Sequence, residues 1–233
     1  TEVHRARELA ETVAAVNRPE GRPLRLGTYE AGPGYAMNGL NNARVTPEQA
    51  REQEEVMKSK VAGTATLDSF LTYADYGFSL QNFFTFGEGH LWKSHAKWYH
   101  GGQAYPAFLA LSLFNQEGPG DLLRTEMLST PTVDYPKLRR RNELKNGPLA
   151  AAYATRQGSR INVFCINRTY PGVTADGDDG YIPFSLKLPF TRAGRITCYA
   201  LSGQPTDHNL ESCPGGSAGG GPRNPEPERS VCA

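Results

Sequence analysis

Two short apolar segments, each placed between helical segments, constrain the fold of this 233-residue chain most strongly. The segment 24–29 (LRLGTY) follows an amphipathic helix with apolar residues three and four apart, and it ends at Glu30 and an Ala-Gly-Pro-Gly turn. The segment 81–86 (QNFFTF) ends before a second glycine-flanked carboxylate, Glu88. Strands that alternate with helices in this way are typical of parallel sheets with crossover helices. The first part of the chain is therefore predicted to be α/β.

The connection between these two predicted strands begins with a strong helix start. Thr46 is a good N-cap, Pro47 suits the first helical position, and Gln49 completes a capping box. Apolar residues at helical spacing continue beyond this start and return after the second strand. The pattern predicts helices over residues 46–61, 67–76 and 104–115.

The pattern changes near Gly118. Residues 149–169 indicate two strands about a Gln157-Gly158 turn, and the segments 181–190 and 195–203 alternate apolar and polar residues. Several short strands separated by turn signals predict an antiparallel β-sandwich. The end of the chain is rich in glycine and proline and cannot bury much apolar area. The predicted organisation is an α/β part over residues 1–117, a β-sandwich over 118–211 and a Gly/Pro-rich tail over 212–233.

Charge and hydropathy argue against two classes of partner. The chain has 25 Lys and Arg against 24 Asp and Glu, a formal net charge of +1, so no nucleic-acid partner is predicted. No apolar run approaches the roughly 18 residues that a membrane helix needs, so no membrane partner is predicted either. No signal peptide opens the sequence. A secreted protein that has lost its signal and a fragment of a longer chain would both begin in this way.

All four cysteines, Cys165, Cys198, Cys213 and Cys232, lie in the C-terminal part. An even number fits two disulfides and an oxidising compartment, which predicts a secreted protein, extracellular or periplasmic. Our preferred pairs are Cys165 with Cys198 and Cys213 with Cys232, although four cysteines allow three connectivities. Four buried free thiols are the alternative.

Neither a metal nor a cofactor is predicted. The cysteines form no CxxC pair, which argues against a structural zinc site. His90, His95 and His100 recur every five residues, whereas metal-binding histidines on a helix prefer a spacing of four. The segment TADGDDGY lacks the distal glutamate of a calcium loop, and a solvated hairpin turn explains it. No P-loop, dinucleotide fingerprint or serine–histidine–acid motif is present.

The order of the elements carries a resemblance. A strand ending in Tyr-Glu-Ala-Gly-Pro-Gly-Tyr, a helix pair, a strand ending in Phe-Gly-Glu-Gly-His-Leu-Trp, a helix and a sandwich follow one another. This order resembles the C-terminal part of clan A glycoside hydrolases, which are (β/α)₈ barrels with an appended β-sandwich. The sandwich segments INVFCINRT and ITCYALSGQPTDHNLES are similar too. The resemblance implies that residues 1–117 form the C-terminal part of a (β/α)₈ barrel, with 24–29 as strand seven and 81–86 as strand eight.

The resemblance also implies the reaction. In this clan a glutamate at the end of strand seven is the nucleophile, and the matching residue is Glu30. Retaining hydrolysis needs a second carboxylate about 5–5.5 Å from the nucleophile, and the clan carries it as Asn-Glu at the end of strand four. Nothing before Glu30 supplies strands one to six, and Asn142-Glu143 follows the barrel-like part. The predicted partner is therefore an N-terminal chain or segment that carries strands one to six and the acid/base.

Five further residues beside the strand ends are candidate substrate-binding groups. Tyr29 or Tyr35 could donate a hydrogen bond to the nucleophile. Trp92 could stack on a sugar ring, since the apolar face of a pyranose packs well against an aromatic plane. Glu88 and His90 could bind sugar hydroxyls. The alternative is a capped loop in which Trp92 is half-buried packing.

The sequence therefore predicts part of a secreted retaining glycoside hydrolase that acts on a glycoside or polysaccharide, with Glu30 as nucleophile. The alternative is a non-catalytic extracellular structural or assembly protein derived from a glycosidase scaffold. In that protein, unpaired strand edges would form an assembly surface.

Overall fold

A computed structural model describes residues 2–20, 24–33, 46–86, 93–96, 102–137, 142–169, 182–188, 196–208 and 228–232, with the backbone alone for 2–4, 18–20 and 228–232. The helices are α1 (Glu2–Glu20), α2 (Pro47–Met57), α3 (Lys60–Asp75) and α4 (Pro106–Glu117). The strands are β1 (Leu26–Ala31), β2 (Phe78–Phe83), β3 (Asp121–Leu123), β4 (Thr132–Tyr135), β5 (Leu144–Pro148), β6 (Ala150–Gln157), β7 (Arg160–Asn167), β8 (Ile196–Ala200) and β9 (Glu228–Cys232). None of the described helices combines the length and apolar composition that crossing a bilayer requires.

Side-chain caps determine where α2 and α3 begin. Thr46 and Gln49 form the predicted capping box: the Gln49 N–H donates to Thr46 Oγ1 at 3.3 Å, and the Thr46 N–H donates to Gln49 Oε1 at 3.1 Å. The predicted extent of this helix was wrong, because α2 ends at Met57 and Ser59 caps a new helix by accepting from the Ala62 N–H at 3.4 Å. The helix predicted over 67–76 thus begins about two turns earlier, as α3.

The strands β1 and β2 pair in parallel, as predicted. The register places Thr28 opposite Gln81 and Ala31 opposite Phe83. β2 begins three residues before the predicted segment and ends at Phe83, three residues before the end of that segment. α3 covers one face of β2, where the Gln81 side-chain amide donates to the Phe70 carbonyl at 2.7 Å.

The second part of the chain is built from small antiparallel sheets. β3, β6 and β7 form one sheet, and the predicted turn at Gln157-Gly158 joins β6 to β7. β4 pairs with β5, and β8 pairs with β9. β9 lies in the predicted Gly/Pro-rich tail, so the end of that tail gains a strand partner. No described sheet closes on itself, and the barrel and the sandwich stay predictions.

The described part of the alternating segment 181–190 does not form the strand that its pattern predicts. Its described residues, 182–188, belong to no helix or strand. Alternation of burial stops at Phe184, and residues 185–188 are all exposed. A period-two pattern yields a strand only where a partner strand and a buried face are available.

The main hydrophobic core lies between α3 and α4 on one side and the β6–β7 hairpin on the other. Its buried members are Leu67, Leu71, Ala110, Ala151, Tyr153 and Ile166. Phe114 of α4 packs against Phe164 of β7 with ring centroids 5.1 Å apart. This core crosses the predicted boundary at residue 117, so each part covers apolar surface of the other. The predicted domain limits stay predictions.

A polar cluster, the Asp68 clasp (Asp68, Thr72, Tyr153 and Arg168), joins the same elements. Arg168 donates two hydrogen bonds to the Asp68 carboxylate, from Nε at 2.6 Å and from Nη2 at 2.8 Å. The Tyr153 hydroxyl donates to Asp68 Oδ1 at 2.6 Å and lies 2.8 Å from Thr72 Oγ1. Burial and the neighbouring Asp68 carboxylate raise the pKa of Tyr153 well above its usual range.

The structure does not contain the predicted Cys165–Cys198 disulfide. Both residues are exposed free thiols. Cys165 lies on β7 and Cys198 on β8, which belong to different sheets. The Cys213–Cys232 pair stays a prediction, because Cys213 lies outside the described residues and only the backbone of Cys232 is described.

Candidate functional site

The carboxyl ends of β1 and β2 lie at one edge of the parallel pair, which we call the carboxyl edge (residues 29–33 and 83–86). The pairing continues past the last strand residues, because the Phe84 N–H donates to the Ala31 carbonyl at 2.7 Å. Parallel α/β proteins bind ligands at the carboxyl ends of their strands. Glu30 therefore lies where a barrel enzyme would hold a reacting group.

Glu30 and Tyr29 are both exposed, with Tyr29 at 86%. The pairing register shifts between Thr28 and Ala31, and an irregularity of this kind redirects side chains at a strand end. None of the described residues hydrogen-bonds to the Glu30 carboxylate, so the structure does not bring the Tyr29 hydroxyl to it. The predicted binding residue Tyr35 lies outside the described residues.

The predicted binding residues Glu88, His90 and Trp92 also lie outside the described residues. The chain on either side of them is held together at the carboxyl edge. The Ser94 N–H donates to the Thr85 carbonyl at 2.8 Å and to the Phe86 carbonyl at 3.1 Å. Phe86 and Ser94, on either side of the segment 87–92, therefore lie close together at this edge.

An aromatic stack (Phe86, His95 and Phe108) supports this edge, and sequence reasoning missed it. The ring centroids of Phe86 and His95 lie 4.6 Å apart, and those of His95 and Phe108 lie 4.3 Å apart. The buried Ser94 hydroxyl lies 2.9 Å from His95 Nδ1 and donates to the Phe86 carbonyl at 3.1 Å. Burial lowers the pKa of His95. The alternating aromatic residues of the FTF segment were the available signal for this stack. Their partners, His95 and Phe108, lie later in the sequence.

The first turns of α3 and α4 lie toward the carboxyl edge. α3 ends at Asp75, three residues before β2 begins, so its other end points to the carboxyl end of β2. The Tyr105 N–H, at the start of α4, donates to the Ser94 carbonyl at 2.8 Å. The buried Lys58 pairs with Glu54, and its ammonium lies 4.8 Å from the centre of the Tyr105 ring.

Backbone carbonyls of the segment 201–208 cap the start of α3. The Lys60 N–H donates to the Asp207 carbonyl and the Val61 N–H to the Pro205 carbonyl, both at 2.9 Å. The Lys60 ammonium lies 3.1 Å from Asp207 Oδ2. These amide donors are thus satisfied by protein, so this helix start is not an open anion site.

The Asn142-Glu143 pair lies beside a strand that belongs to a different sheet from the strand of Glu30. Glu143 is exposed, lies 3.8 Å from the Lys145 ammonium and directly precedes β5 of the β4–β5 hairpin, in the sandwich-like part of the chain. Within the part of the chain that the structure describes, no group of three His, Cys, Asp or Glu side chains could hold a metal ion.

The carboxyl edge thus combines an exposed carboxylate with exposed aromatic rings. A carboxylate in that position can attack an electrophilic carbon or accept hydrogen bonds from hydroxyl groups, and an aromatic ring can pack against the apolar face of a sugar. Comparison of the chain with protein-family models, with curated proteins and with solved structures finds no match.

Proposed function

We propose that this chain is the C-terminal portion of a secreted retaining glycoside hydrolase that cleaves a glycoside or polysaccharide. The observation that carries the proposal is the position of Glu30, an exposed carboxylate at the carboxyl end of a strand that pairs in parallel with β2. The order of the sequence elements, which resembles the end of a clan A enzyme, supports the same assignment.

In the proposed reaction Glu30 attacks the anomeric carbon of the sugar. The bond from that carbon to the leaving oxygen breaks, and the acid/base donates a proton to the leaving oxygen. Water, deprotonated by the same acid/base, then attacks the glycosyl ester, releases the sugar and regenerates the Glu30 carboxylate. The acid/base is proposed to lie at the end of strand four, in an N-terminal segment or a second chain.

The exposed face of the β1–β2 pair supports the proposal that further strands complete the enzyme. Tyr29 of β1 and Leu80 of β2 are both largely exposed. Parallel strands are normally buried on both faces, and a pair of strands is marginally stable at best. Strands one to six, from an N-terminal segment or a second chain, would cover this face and bring the acid/base to Glu30.

The proposal is tested on the natively purified protein, together with any polypeptide that accompanies it. Turnover of a panel of aryl glycosides is compared for the unsubstituted protein, Glu30→Gln and the control Glu143→Gln. Removing a nucleophile costs several orders of magnitude in kcat, so Glu30→Gln is expected to be inactive and Glu143→Gln active. Retention of full turnover by Glu30→Gln would refute the assignment.

A chemical rescue identifies the role of the carboxylate itself. Glu30→Ala leaves space on the side of the sugar from which Glu30 attacks. Azide can then attack the anomeric carbon directly, with the leaving group departing to the opposite side. A glycosyl azide of inverted configuration is the expected product, whereas substitution of the acid/base would give the retained configuration.

The second candidate function is a non-catalytic extracellular assembly protein. The exposed Tyr29 and Leu80 favour it as well, because an unpaired apolar face can dock other chains. Native mass spectrometry and the glycoside assay separate the two functions. A large particle without turnover supports the assembly protein, and a particle with Glu30-dependent turnover supports the hydrolase.

A further inference from the structure

The end of β7 carries the sequence Asn167-Arg168-Thr169, which the proposed hydrolysis does not use. An asparagine followed two positions later by serine or threonine, with any residue but proline between them, is the acceptor sequence for N-linked glycosylation. Such a short pattern often occurs by chance, so the position of the asparagine in the fold decides whether it can hold a glycan. An acceptor must face solvent and leave room for a bulky, hydrated group.

Asn167 lies on the solvent side of β7. Its side chain is exposed, whereas the preceding residue, Ile166, belongs to the main core. The following residue, Arg168, donates its hydrogen bonds to the Asp68 carboxylate. Successive side chains of a strand point to opposite faces, so a group on Asn167 extends away from the core. The fold can therefore accommodate a bulky group at Asn167 with the core and the Asp68 clasp in place.

The local hydrogen bonding is compatible with attachment of a sugar. The Thr169 N–H donates to Asn167 Oδ1 at 2.8 Å, which closes an Asx turn. This bond uses the amide oxygen of Asn167, whereas a glycan is attached through the amide nitrogen. The Arg168 N–H donates to the Leu149 carbonyl at 2.8 Å, which fixes the backbone in the middle of the acceptor sequence. A glycosylated Asn167 can therefore keep its turn.

We propose that Asn167 carries an N-linked oligosaccharide that it receives during secretion. This inference goes beyond the proposed function and rests on the secretion proposed there, but not on the role of Glu30. The donor is an oligosaccharide linked to a lipid pyrophosphate, the co-reactant of N-glycosylation in a secretory pathway. The bond from its anomeric carbon to the pyrophosphate oxygen breaks, and a bond from the same carbon to Asn167 Nδ2 forms. The lipid pyrophosphate leaves with the electron pair, and the amide gives up one proton.

The glycan also protects an edge strand. β7 lies at one edge of the described three-stranded sheet, where it pairs with β6. It is 8 residues long (RINVFCIN), and Arg160 is its single charged side chain. Long, mostly apolar edge strands are templates for pairing with other chains unless something blocks them. A hydrated oligosaccharide on Asn167 covers the end of this edge and is expected to limit self-association.

The test begins with the natively purified protein. Trypsin cleaves after Arg160 and Arg168, so one peptide contains both Asn162 and Asn167. Peptide N-glycosidase in heavy-oxygen water converts a glycosylated asparagine to aspartate with one heavy oxygen, whereas an unmodified asparagine is unchanged. We expect the label on Asn167 and none on Asn162, which is the internal control because phenylalanine follows it two positions later. An unmodified Asn167 in the untreated native protein would overturn the proposal.

Variants of the full chain, expressed in a host that glycosylates secreted proteins, identify the acceptor sequence. Because the 233 residues contain no second acceptor sequence, Asn167→Gln and Thr169→Ala are expected to lose the glycan completely. Thr169→Ser is expected to keep it, since serine serves in the same position. Asn115→Gln is the matched control, because Asn115 is an exposed asparagine of α4 outside any acceptor sequence.

The glycan is added before folding is complete, so a variant that fails to fold is still analysed, from the cell extract. A glycan that persists in Thr169→Ala would overturn the assignment. Sedimentation velocity of the secreted proteins measures the protection of the edge. Asn167→Gln is expected to form dimers or larger species at concentrations where Asn115→Gln and the unsubstituted protein do not. Equal association of all three would refute the protection and leave the glycan standing.

Two results separate the glycan from the proposed function. A native protein without a glycan, but with turnover that depends on Glu30, would refute the glycan and leave the hydrolase standing. A glycosylated protein in which Glu30→Gln keeps full turnover would refute the nucleophile and leave the glycan standing.

Discussion

The Asp68 clasp allows a quantitative prediction, because Arg168 and Tyr153 together donate three hydrogen bonds to a mostly buried carboxylate. Substitution of Arg168 by methionine keeps most of the side-chain volume and removes both hydrogen bonds to Asp68. The Asp68 carboxylate, 14% exposed, is then left with the hydroxyl of Tyr153 and without a cation. The folded state then holds a mostly buried negative charge without a cation beside it, and this destabilises the fold.

The magnitude follows from burial and hydrogen bonding. Breaking one partner of a fully buried pair costs about 3–5 kcal/mol, and an exposed pair costs about 0.2–1 kcal/mol. Arg168 is 30% exposed, so we expect a loss between these limits, about 2–3 kcal/mol in the free energy of unfolding. For a chain of this length that loss corresponds to a fall in Tm of about 5–10 °C.

Urea and thermal unfolding, followed by circular dichroism, measure the effect. Arg160→Met is the matched control, because Arg160 also makes a 2.8 Å bond to a carboxylate, that of Glu117, but is 52% exposed. We expect Arg160→Met to cost less than about 1 kcal/mol. Equal losses for Arg168→Met and Arg160→Met would refute the reasoning, because the difference in burial would then have no energetic consequence.

Three further predictions concern stability. Thr46→Ala removes the capping box of α2 and is expected to lower the free energy of unfolding by about 1 kcal/mol. Thr46→Ser keeps the hydroxyl and is expected to change it little. Urea unfolding measures both variants. Leu71→Ala leaves a cavity in the main core and is expected to lower the free energy of unfolding by about 2–5 kcal/mol, with a corresponding fall in Tm. A loss below about 1 kcal/mol would contradict this expectation. The folded pKa of Tyr153 is raised above its unfolded value, so its contribution to stability is complete below about pH 10 and is lost as the pH rises further. The difference in unfolding free energy between Tyr153→Phe and the unsubstituted protein should therefore shrink as the pH rises above about 10. An unchanged difference would contradict the origin of the shift.

Features determined by neighbouring residues were predictable from the sequence. The capping box of Thr46 and Gln49 depends on residues three apart, and the β6–β7 turn depends on Gln157 and Gly158. The parallel pairing of β1 and β2 was predictable because helices separate the two strands. The end of α2 was missed, because Ser59 is a cap inside a stretch whose apolar spacing is helical throughout.

Features that depend on distant residues were not predictable in the same way. Asp68 and Arg168 are 100 positions apart, and nothing in either segment marks the other as its partner. The position of Glu30 at a strand end was predictable from the segment 24–29, whereas the support of Phe86 by His95 and Phe108 was not. The segment 182–188 shows the reverse case, in which a local strand pattern finds no strand partner among the described residues.

The capping of α3 by the segment 201–208 has a consequence for how the chain folds during synthesis. The N–H groups of Lys60 and Val61 find their acceptors, the carbonyls of Asp207 and Pro205, about 145 residues later in the chain. A ribosome adds roughly 5–20 residues each second, so the first turn of α3 waits for many seconds before its caps are made. Contacts of such long sequence separation slow folding, because the loop must close before they form. The start of α3, next to the candidate site, is therefore expected to be among the last elements to become ordered.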